Sequence, residues 1–324
     1  MHRVSVVIVC MNRLDILRPC LDSIRKYTRA SYEVFVVAYM FSEENLATLR
    51  RDYPWVAVIL SNELRGFSEN NNLALKQASG EFCFIVNDDT FMEMPVIDLL
   101  IEDFGKQPSA SVISPNIVYP DGRPQSCGRE PFNARVFMKH YLHVRNEVKP
   151  TKYTMREGLF RTYGLNGACF MIRTEVFREV GFFDETYTFT PEDIALGEML
   201  NRKGYEVWAD RGIKISHIAN ATASRMETAI KPTRVRGSLI LYSSLNHLKN
   251  PQIKEQNRLI WFLLASFVCL FEATRGLKYL FLDCSEPGSR NWIMSRTARN
   301  VRRYAFSRKS TREIFTTLYR ELYP

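Results

Sequence analysis

Val4-Ser5-Val6-Val7-Ile8-Val9 is an almost unbroken β-branched run. That is the pattern of a strand covered on both faces, as in a parallel sheet. Leu17, Cys20, Leu21, Ile24 and Tyr27 then recur at helical spacing, with Pro19 placed for a first turn. Val34-Phe35-Val36-Val37 and Val56-Ala57-Val58-Ile59-Leu60 predict two more strands, with helical character from Asn45 to Tyr53 between them. A polar turn from Ser61 to Phe67 leads into a helix carrying Leu73, Ala74, Leu75 and Ala78, which Gly80 ends before the strand Phe82–Val86. Strands alternating with helices from the first residues predict an α/β fold, a doubly wound, mainly parallel, Rossmann-like sheet.

The pattern loosens over residues 115–165. Pro115, Pro120, Gly122, Pro124, Gly128, Pro131 and Pro150 interrupt any long element in a segment rich in Arg, Lys, Tyr and Phe. Either an acceptor-facing region or a plain surface excursion accounts for it. Regular signals return with a strand at Ala168–Ile172 and a helix from Thr174 to Val180, stopped by Gly181. A helix over Glu192–Arg202 with Leu196, Met199 and Leu200 inside follows, then two late strands, Tyr205–Trp208 and Lys214–His217.

The last hundred residues differ in kind. Leu259–Phe271 is a run of 13 residues without a charge, flanked by Arg258 and Glu272 and continued by Gly276–Leu282. A spanning helix needs about twenty. Arg290, Arg296, Arg299, Arg302, Arg303, Arg308, Lys309 and Arg312 come next. An apolar helix beside a polybasic segment suits a peripheral position on an anionic membrane surface; the alternative is a core helix with a solvated basic face. Charge sharpens the contrast. The chain carries +9 overall, yet residues 225–324 hold 18 Lys/Arg against 7 Asp/Glu, so the remainder is slightly acidic. Such asymmetry points to a polyanionic partner, and the neighbouring apolar run favours lipid over nucleic acid.

At 324 residues, 46% hydrophobic and 24% charged, the chain has the make-up of a folded protein of one large domain plus an appendage, or of two domains. Its seven cysteines are odd in number and never spaced C-x-x-C. That predicts reduced thiols in a cytoplasmic compartment, against a disulfide framework or a zinc site. Met1-His2-Arg3 leads directly into a strand, so no signal peptide is expected.

Candidate chemistry sits in two acidic pairs. Asp88-Asp89 ends the strand Phe82–Val86, and Glu192-Asp193 opens a helix after Pro191. Carboxylates at the carboxyl end of a buried strand lie where open α/β sheets bind ligands. Two such stations suggest a division of labour: one holds a divalent cation against a phosphate-bearing donor, the other takes a proton from an acceptor. The helix dipole at Asp193 favours an ionised carboxylate suited to a base. Both pairs also have bland readings, a capped turn for the first and N-terminal helix charge for the second.

Four blocks decide between these readings. Val4–Val9 with Asn12-Arg13, Asn62 with Gly66-Phe67-Ser68 and Asn70-Asn71-Asn72, Asn87-Asp88-Asp89-Thr90, and the long block Gly167-Ala168 through Ile172-Arg173, Val180-Gly181-Phe182-Phe183-Asp184-Glu185 to Glu192-Asp193 occur in order. In them the chain resembles glycosyltransferase family 2, the inverting nucleotide-sugar transferases, and in particular their rhamnosyltransferase-like branch. The resemblance covers about residues 4–224. It implies a GT-A-type sheet with a C-terminal helical extension: a catalytic domain over 1–225, divided into a nucleotide-sugar-binding half (1–115) and an acceptor and catalytic-base half (116–225), then a basic helical extension over 226–324.

Roles follow from the resemblance. Asp193 is the base and Glu192 its support. Asp89, Asp88 and His217 are the metal ligands for Mg²⁺ or Mn²⁺. Val9, Asn12, Arg13, Asn62, Gly66, Phe67, Asn71, Asn87 and Asp88 face the nucleotide sugar; Gly167, Ala168 and Asp184 face a glycan or lipid-linked acceptor. The implied donor is dTDP-rhamnose, the implied process is cell-surface polysaccharide synthesis, and homo-oligomerisation is left open. Where the family usually has an acidic base-reading residue, this chain has Ala38-Tyr39, with Glu43 and Glu44 nearby; Ala195 replaces another acid. Rival readings are a nucleotidyltransferase on a similar sheet, against which Cys10-Met11-Asn12-Arg13 is not a Gly-rich loop, and a non-catalytic relative that binds membrane or nucleic acid.

Overall fold

The computed structural model describes residues 3–142, 149–219, 226–245, 257–279, 282, 284–286 and 288–323. They form two compact units. The first comprises Met1–Pro131, Glu147–Asp184 and Glu192–Ala221; the second Phe132–Asn146, Glu185–Pro191 and Thr222–Pro324. The expected boundary at 225/226 borders residues 220–225, outside the described residues, as do Leu280 and Phe281 of the apolar continuation.

In chain order the elements are β1 (Val4–Met11), α1 (Leu14–Tyr27), β2 (Tyr32–Tyr39), α2 (Glu43–Asp52), β3 (Ala57–Ser61), α3 (Phe67–Leu75), β4 (Phe82–Val86) and β5 (Thr90–Phe91). Next come α4 (Val96–Lys106), β6 (Ala110–Val118), β7 (Pro124–Ser126), α5 (Ala134–Tyr141), β8 (Leu159–Thr162), β9 (Cys169–Arg173), α6 (Thr174–Glu179), α7 (Glu192–Arg202) and β10 (Glu206–His217). The chain ends with α8 (Glu227–Leu245), α9 (Arg258–Lys278), α10 (Arg290–Ala305) and α11 (Thr311–Leu322).

The first unit is built on one sheet of order β3-β2-β1-β4-β9-β6-β10-β5, with β7 added to β6 and β8 to β10. From β3 to β4 all neighbours are parallel, as the continuous apolar runs predict. Beyond β4 the sheet is mixed. β9 enters antiparallel between β4 and β6, and β6 is parallel to β10. This insertion matters for function. The carboxyl ends of β1, β4, β6 and β10 share one edge with the amino end of β9, so residues 167–168 meet residues 87–89. Two apolar clusters cover the sheet. One includes Leu17, Leu21 and Ile24 of α1 with Phe104 of α4; the other joins Phe170, Phe177 and Phe183, whose rings meet edge to face.

Asn70-Asn71-Asn72 is buried inside α3, whose start the Glu69 carboxylate caps by accepting from the Gly66 amide at 3.2 Å. Two local expectations are corrected. Pro19 lies in the second turn of α1, because that helix begins at Leu14. The two late strands are one, β10, interrupted by a register shift between Asp210 and Lys214.

Next to that irregularity, Asp103 of α4 is almost wholly buried. Its Oδ1 accepts from Lys106 at 2.8 Å, while its Oδ2 lacks a donor among the described residues. Burial, and then Asp210 within hydrogen-bonding reach, push its carboxyl up to about 6 from 3.8. A carboxyl raised in the folded state favours folding while protonated, so its contribution is full below the unfolded value and fades as pH rises from about 4 to 6. Asp103→Asn, whose amide can donate to Asp210, should remove that step and stabilise the protein at neutral pH by on the order of 1 kcal/mol. Thermal melts of both proteins between pH 4 and 7 check it; parallel pH profiles would show that the pair does not share a proton.

Candidate active site

The first acid station is a closed turn at the end of β4. The Asn87 amide donates to Ala168 O at 2.9 Å, and Thr90 Oγ1 donates to Asn87 O at 2.8 Å. Cys20 of α1 packs behind it, its thiol 3.7 Å from the same carbonyl; burial pushes that thiol up to about 12, so it is inert here. Asp88 and Asp89 are both buried. Burial first, then the charge of Asp89, raise the Asp88 carboxyl to about 7, against weaker lowering by Cys10 and Arg13. Asp88 Oδ2 has no hydrogen-bond partner among the described residues. A buried, charge-repelled carboxylate oxygen without a donor requires a proton or a cation.

β5 and β10 bring a histidine to this turn. His217 pairs with Thr90 in a two-residue antiparallel ladder, and the Ile218 amide donates to Asp89 O at 3.0 Å. His217 Nε2 thereby lies 3.0 Å from Asp89 Oδ1 and 3.4 Å from Asn87 Nδ2. Its Nδ1 lies 2.5 Å from Gln125 Oε1, and Gln125 Nε2 donates to the His217 carbonyl at 3.3 Å. With Nδ1 donating to Gln125, Nε2 is the nitrogen left to face Asp89 or an ion beside it.

The chemistry of this donor set fits a hard divalent cation: two carboxylates, one with an orphaned oxygen, and an imidazole. Among the described residues no three His, Cys, Asp or Glu side chains form a cage. A cation held there would need further ligands, as Mg²⁺-type ions take from phosphate and water.

The second station opens α7, where Glu192 and Asp193 are both buried. Asp193 Oδ2 accepts from the Gly167 amide at 3.0 Å, and Oδ1 from the Ile194 amide at 2.8 Å. Arg129 Nη1 lies 3.0 Å from Asp193 Oδ2, a charge contact outside hydrogen-bond alignment. A Cβ at 167 would be tight, 3.3 Å from both Asp193 Cβ and Glu192 Oε1. The two stations thus border one short segment, with Asp193 on the Gly167 amide and Asn87 on the Ala168 carbonyl.

Arg129 and Gln125 escaped the sequence reading. Both lie in the Pro/Gly-rich stretch, and neither carries a local periodicity. The available signal was Gly128, at φ +72°, where a Cβ would meet Tyr153 O at 2.4 Å. Arg129 is then fixed by its amide donating to Thr162 Oγ1 at 2.8 Å and its carbonyl accepting from Gly164 at 3.0 Å.

The remaining anticipated residues divide by what engages them. Arg13 pairs with Asp15 and also lowers Asp88 electrostatically. Val9 is half-buried in β1, opposite Val37. Asn12, at φ 52°, offers its side-chain oxygen to the Ser42 amide at 3.0 Å and to Asn45 Nδ2 at 2.8 Å, tying β1 to α2. Asn62 is exposed just after β3. Phe67 packs against Phe183 at 5.7 Å. Asn71 Nδ2 donates to Phe67 O, and Asn72 clasps the Phe183 backbone from both sides, at 2.9 and 3.2 Å. Asp184, next in the chain, is exposed. Where an acid was usual, Ala38 and Tyr39 are buried, and the Tyr39 hydroxyl accepts from the Arg65 amide at 3.3 Å.

Comparison with known proteins bears on the family and the fold. The family model described as glycosyl transferase family 2 matches residues 5–181. The O-antigen biosynthesis protein RfbC of Myxococcus xanthus is 26% identical over 243 residues, 70% of this chain and 18% of that one. An N-acetylglucosaminyl-diphospho-decaprenol L-rhamnosyltransferase of Mycobacterium tuberculosis is 28% identical over 149 residues, 44% of this chain and 48% of that protein. The chain therefore spans less than half the length of either relative. Among solved structures, GalNAc-T7 with UDP, GalNAc and Mn²⁺ superposes with a TM-score of 0.53 at 14% identity, covering 77% of this chain and 53% of that one. The mannosyltransferase PcManGT of Pyrobaculum calidifontis, with GDP-Man and Mn²⁺, gives 0.52 at 14% identity, covering 94% and 88%. These likenesses establish a GT-A-like α/β fold.

Proposed function

Because the chain belongs to glycosyl transferase family 2, a glycosyltransferase, we propose that it works by inversion and with a divalent cation, moving a sugar from a nucleoside-diphosphate donor onto a glycan or lipid-linked acceptor. The observation that carries this reading is the shared segment 167–168, which holds the Asp193 carboxylate by one amide and the 87–89 turn by one carbonyl. Acids at both ends of one short bridge suit a reaction with a leaving diphosphate on one side and an attacking hydroxyl on the other.

Asp88 and Asp89, with His217 beside Asp89, are the residues that would hold Mg²⁺ or Mn²⁺. Bound there, the ion supplies charge neutralisation to a departing diphosphate. Asp193 accepts the proton of the acceptor hydroxyl as that oxygen attacks the anomeric carbon. The new carbon–oxygen bond forms on the face opposite the old one, whose electron pair leaves with the diphosphate, so the configuration inverts. The Gly167 amide fixes the carboxylate's direction, and Arg129 lies against it at 3.0 Å. Glu192 supports the helix start beside it.

The donor we assign is dTDP-rhamnose and the process polysaccharide assembly. The support is the names of the relatives: one a rhamnosyltransferase acting on a diphospho-decaprenol acceptor, one an O-antigen protein. Nucleoside-diphosphate release across a panel of nucleotide sugars, with and without EDTA, tests it. Release is expected from dTDP-rhamnose above the others, abolished by EDTA and restored by Mn²⁺. Undiminished release in EDTA would contradict the metal assignment, and preference for another sugar the donor assignment.

A further inference from the structure

The second unit presents an apolar surface that the active site does not explain. α9 packs one face on α8 and α10. Leu264, Ala265, Val268 and Glu272 are buried on that side. On the opposite side Leu259, Phe262, Leu263, Leu270 and Leu277 recur at spacings of three, one and seven residues and stand 55–68% exposed. Residues seven apart fall on nearly the same helix face, so these five form one stripe along a helix about 30 Å long. Phe306, 39% exposed at the end of α10, extends it, its ring 5.7 Å from Trp261 and 5.8 Å from Phe262. A contiguous exposed apolar strip of this kind is a contact surface.

Charge identifies the occupant. Arg302 sits at the rim, its Nη2 3.9 Å from where a Gly276 Cβ would stand. Arg290, Arg299, Arg302 and Arg303 of α10 are exposed, as are Arg308, Lys309 and Arg312 beyond it. Residues 225–324 carry 18 basic against 7 acidic residues. Hydrocarbon in the middle and anionic groups around it is the chemistry of an acidic bilayer surface.

α9 is the one helix among the described residues long and apolar enough to cross a membrane by length and composition. Its packing opposes a crossing. Glu272, fully buried, accepts from the Tyr141 hydroxyl at 2.6 Å and from Arg275 Nη1 at 3.2 Å, with Lys231 Nζ at 3.6 Å. That cluster fastens the inner face of α9 to α5 and α8. A spanning α9 would carry these charges and the arginines of α10 into hydrocarbon.

We infer that α9 lies in the plane of an anionic membrane, inserting Leu259, Phe262, Leu263, Leu270 and Leu277 to the acyl boundary while the arginines of α10 meet the headgroups. This holds whichever sugar the enzyme transfers. The test is co-sedimentation of the whole chain with vesicles of phosphatidylcholine alone or mixed with phosphatidylglycerol. The protein is expected to sediment with the anionic vesicles and far less with the neutral ones, and to be released by sodium carbonate extraction. A variant carrying Leu263→Glu and Leu270→Glu, both exposed, should keep its melting temperature and circular dichroism yet partition at least about tenfold more weakly. Equal sedimentation of the variant would overturn the inference. Retention after carbonate would overturn the in-plane placement in favour of a span. A dimer in solution that the variant breaks, with no vesicle binding by either protein, would assign the stripe to a second copy instead.

Discussion

Asp193→Asn is expected to reduce sugar transfer by about a thousandfold while leaving the Michaelis constant for the donor nearly unchanged. The substitution is close to isosteric. An asparagine oxygen can still accept from the Gly167 amide that now holds Asp193 Oδ2 at 3.0 Å, with loss of the local bond from the Ile194 amide, so the 166–168 turn should keep its place. What disappears is the basic lone pair that receives the acceptor proton. The charge facing Arg129 at 3.0 Å also goes, which leaves a guanidinium beside the acceptor. Initial-rate measurements of nucleoside-diphosphate release at saturating acceptor read kcat and the Michaelis constant separately. A kcat within a few-fold of the unaltered enzyme would remove Asp193 from the base role.

Asp89→Ala should act on the other half of the reaction. Its expected effect is a loss of about a hundredfold or more in metal-dependent affinity for a nucleoside diphosphate. Asp89 is the carboxylate that the β5–β10 ladder presents to His217. Removing it takes away a ligand and leaves the His217 ring directed by Gln125 toward an empty position. The change also removes the charge that, after burial, holds the neighbouring Asp88 carboxyl near 7. Asp88 alone then keeps a single buried carboxylate, too little to hold a divalent ion against its hydration. Calorimetric titration of the diphosphate with Mn²⁺ present and absent separates the two components. Binding that remains equally Mn²⁺-dependent in Asp89→Ala would place the ion elsewhere.

These expectations rest on features of unequal visibility in the sequence. β1, β2 and β4 were legible because strands buried on both faces need continuous β-branched and aromatic residues, and Val4–Val9 and Phe82–Val86 supply them. Asp88-Asp89 was legible for the same reason, since a strand end fixes where the next residues go. The pairing of β9 was not. Ala168–Ile172 announces a strand but not its direction, and only the antiparallel insertion between β4 and β6 explains how Gly167 reaches both acid stations. The burial of the asparagine triplet was not legible either, because its partners are distant: Ser61 donates to Asn70 at 2.6 Å and Asn72 holds Phe183. Arg129 was invisible because its value is purely tertiary: a glycine at positive φ and Thr162 aim it at an aspartate 64 positions away in the chain. The nucleotidyltransferase reading falls with membership of the glycosyltransferase family.

The central claim is that one cleft is served by two acid stations, one gripping the cation and the other left open for the acceptor. An anomalous-scattering map of crystals grown with Mn²⁺ and a nucleoside diphosphate tests it most directly. The account predicts a single manganese peak within coordination distance of Asp89, bridged by diphosphate oxygens, with Asp193 outside the coordination sphere and facing the sugar position. A manganese ion bound by Asp193, or a diphosphate lodged away from the 87–89 turn, would contradict it.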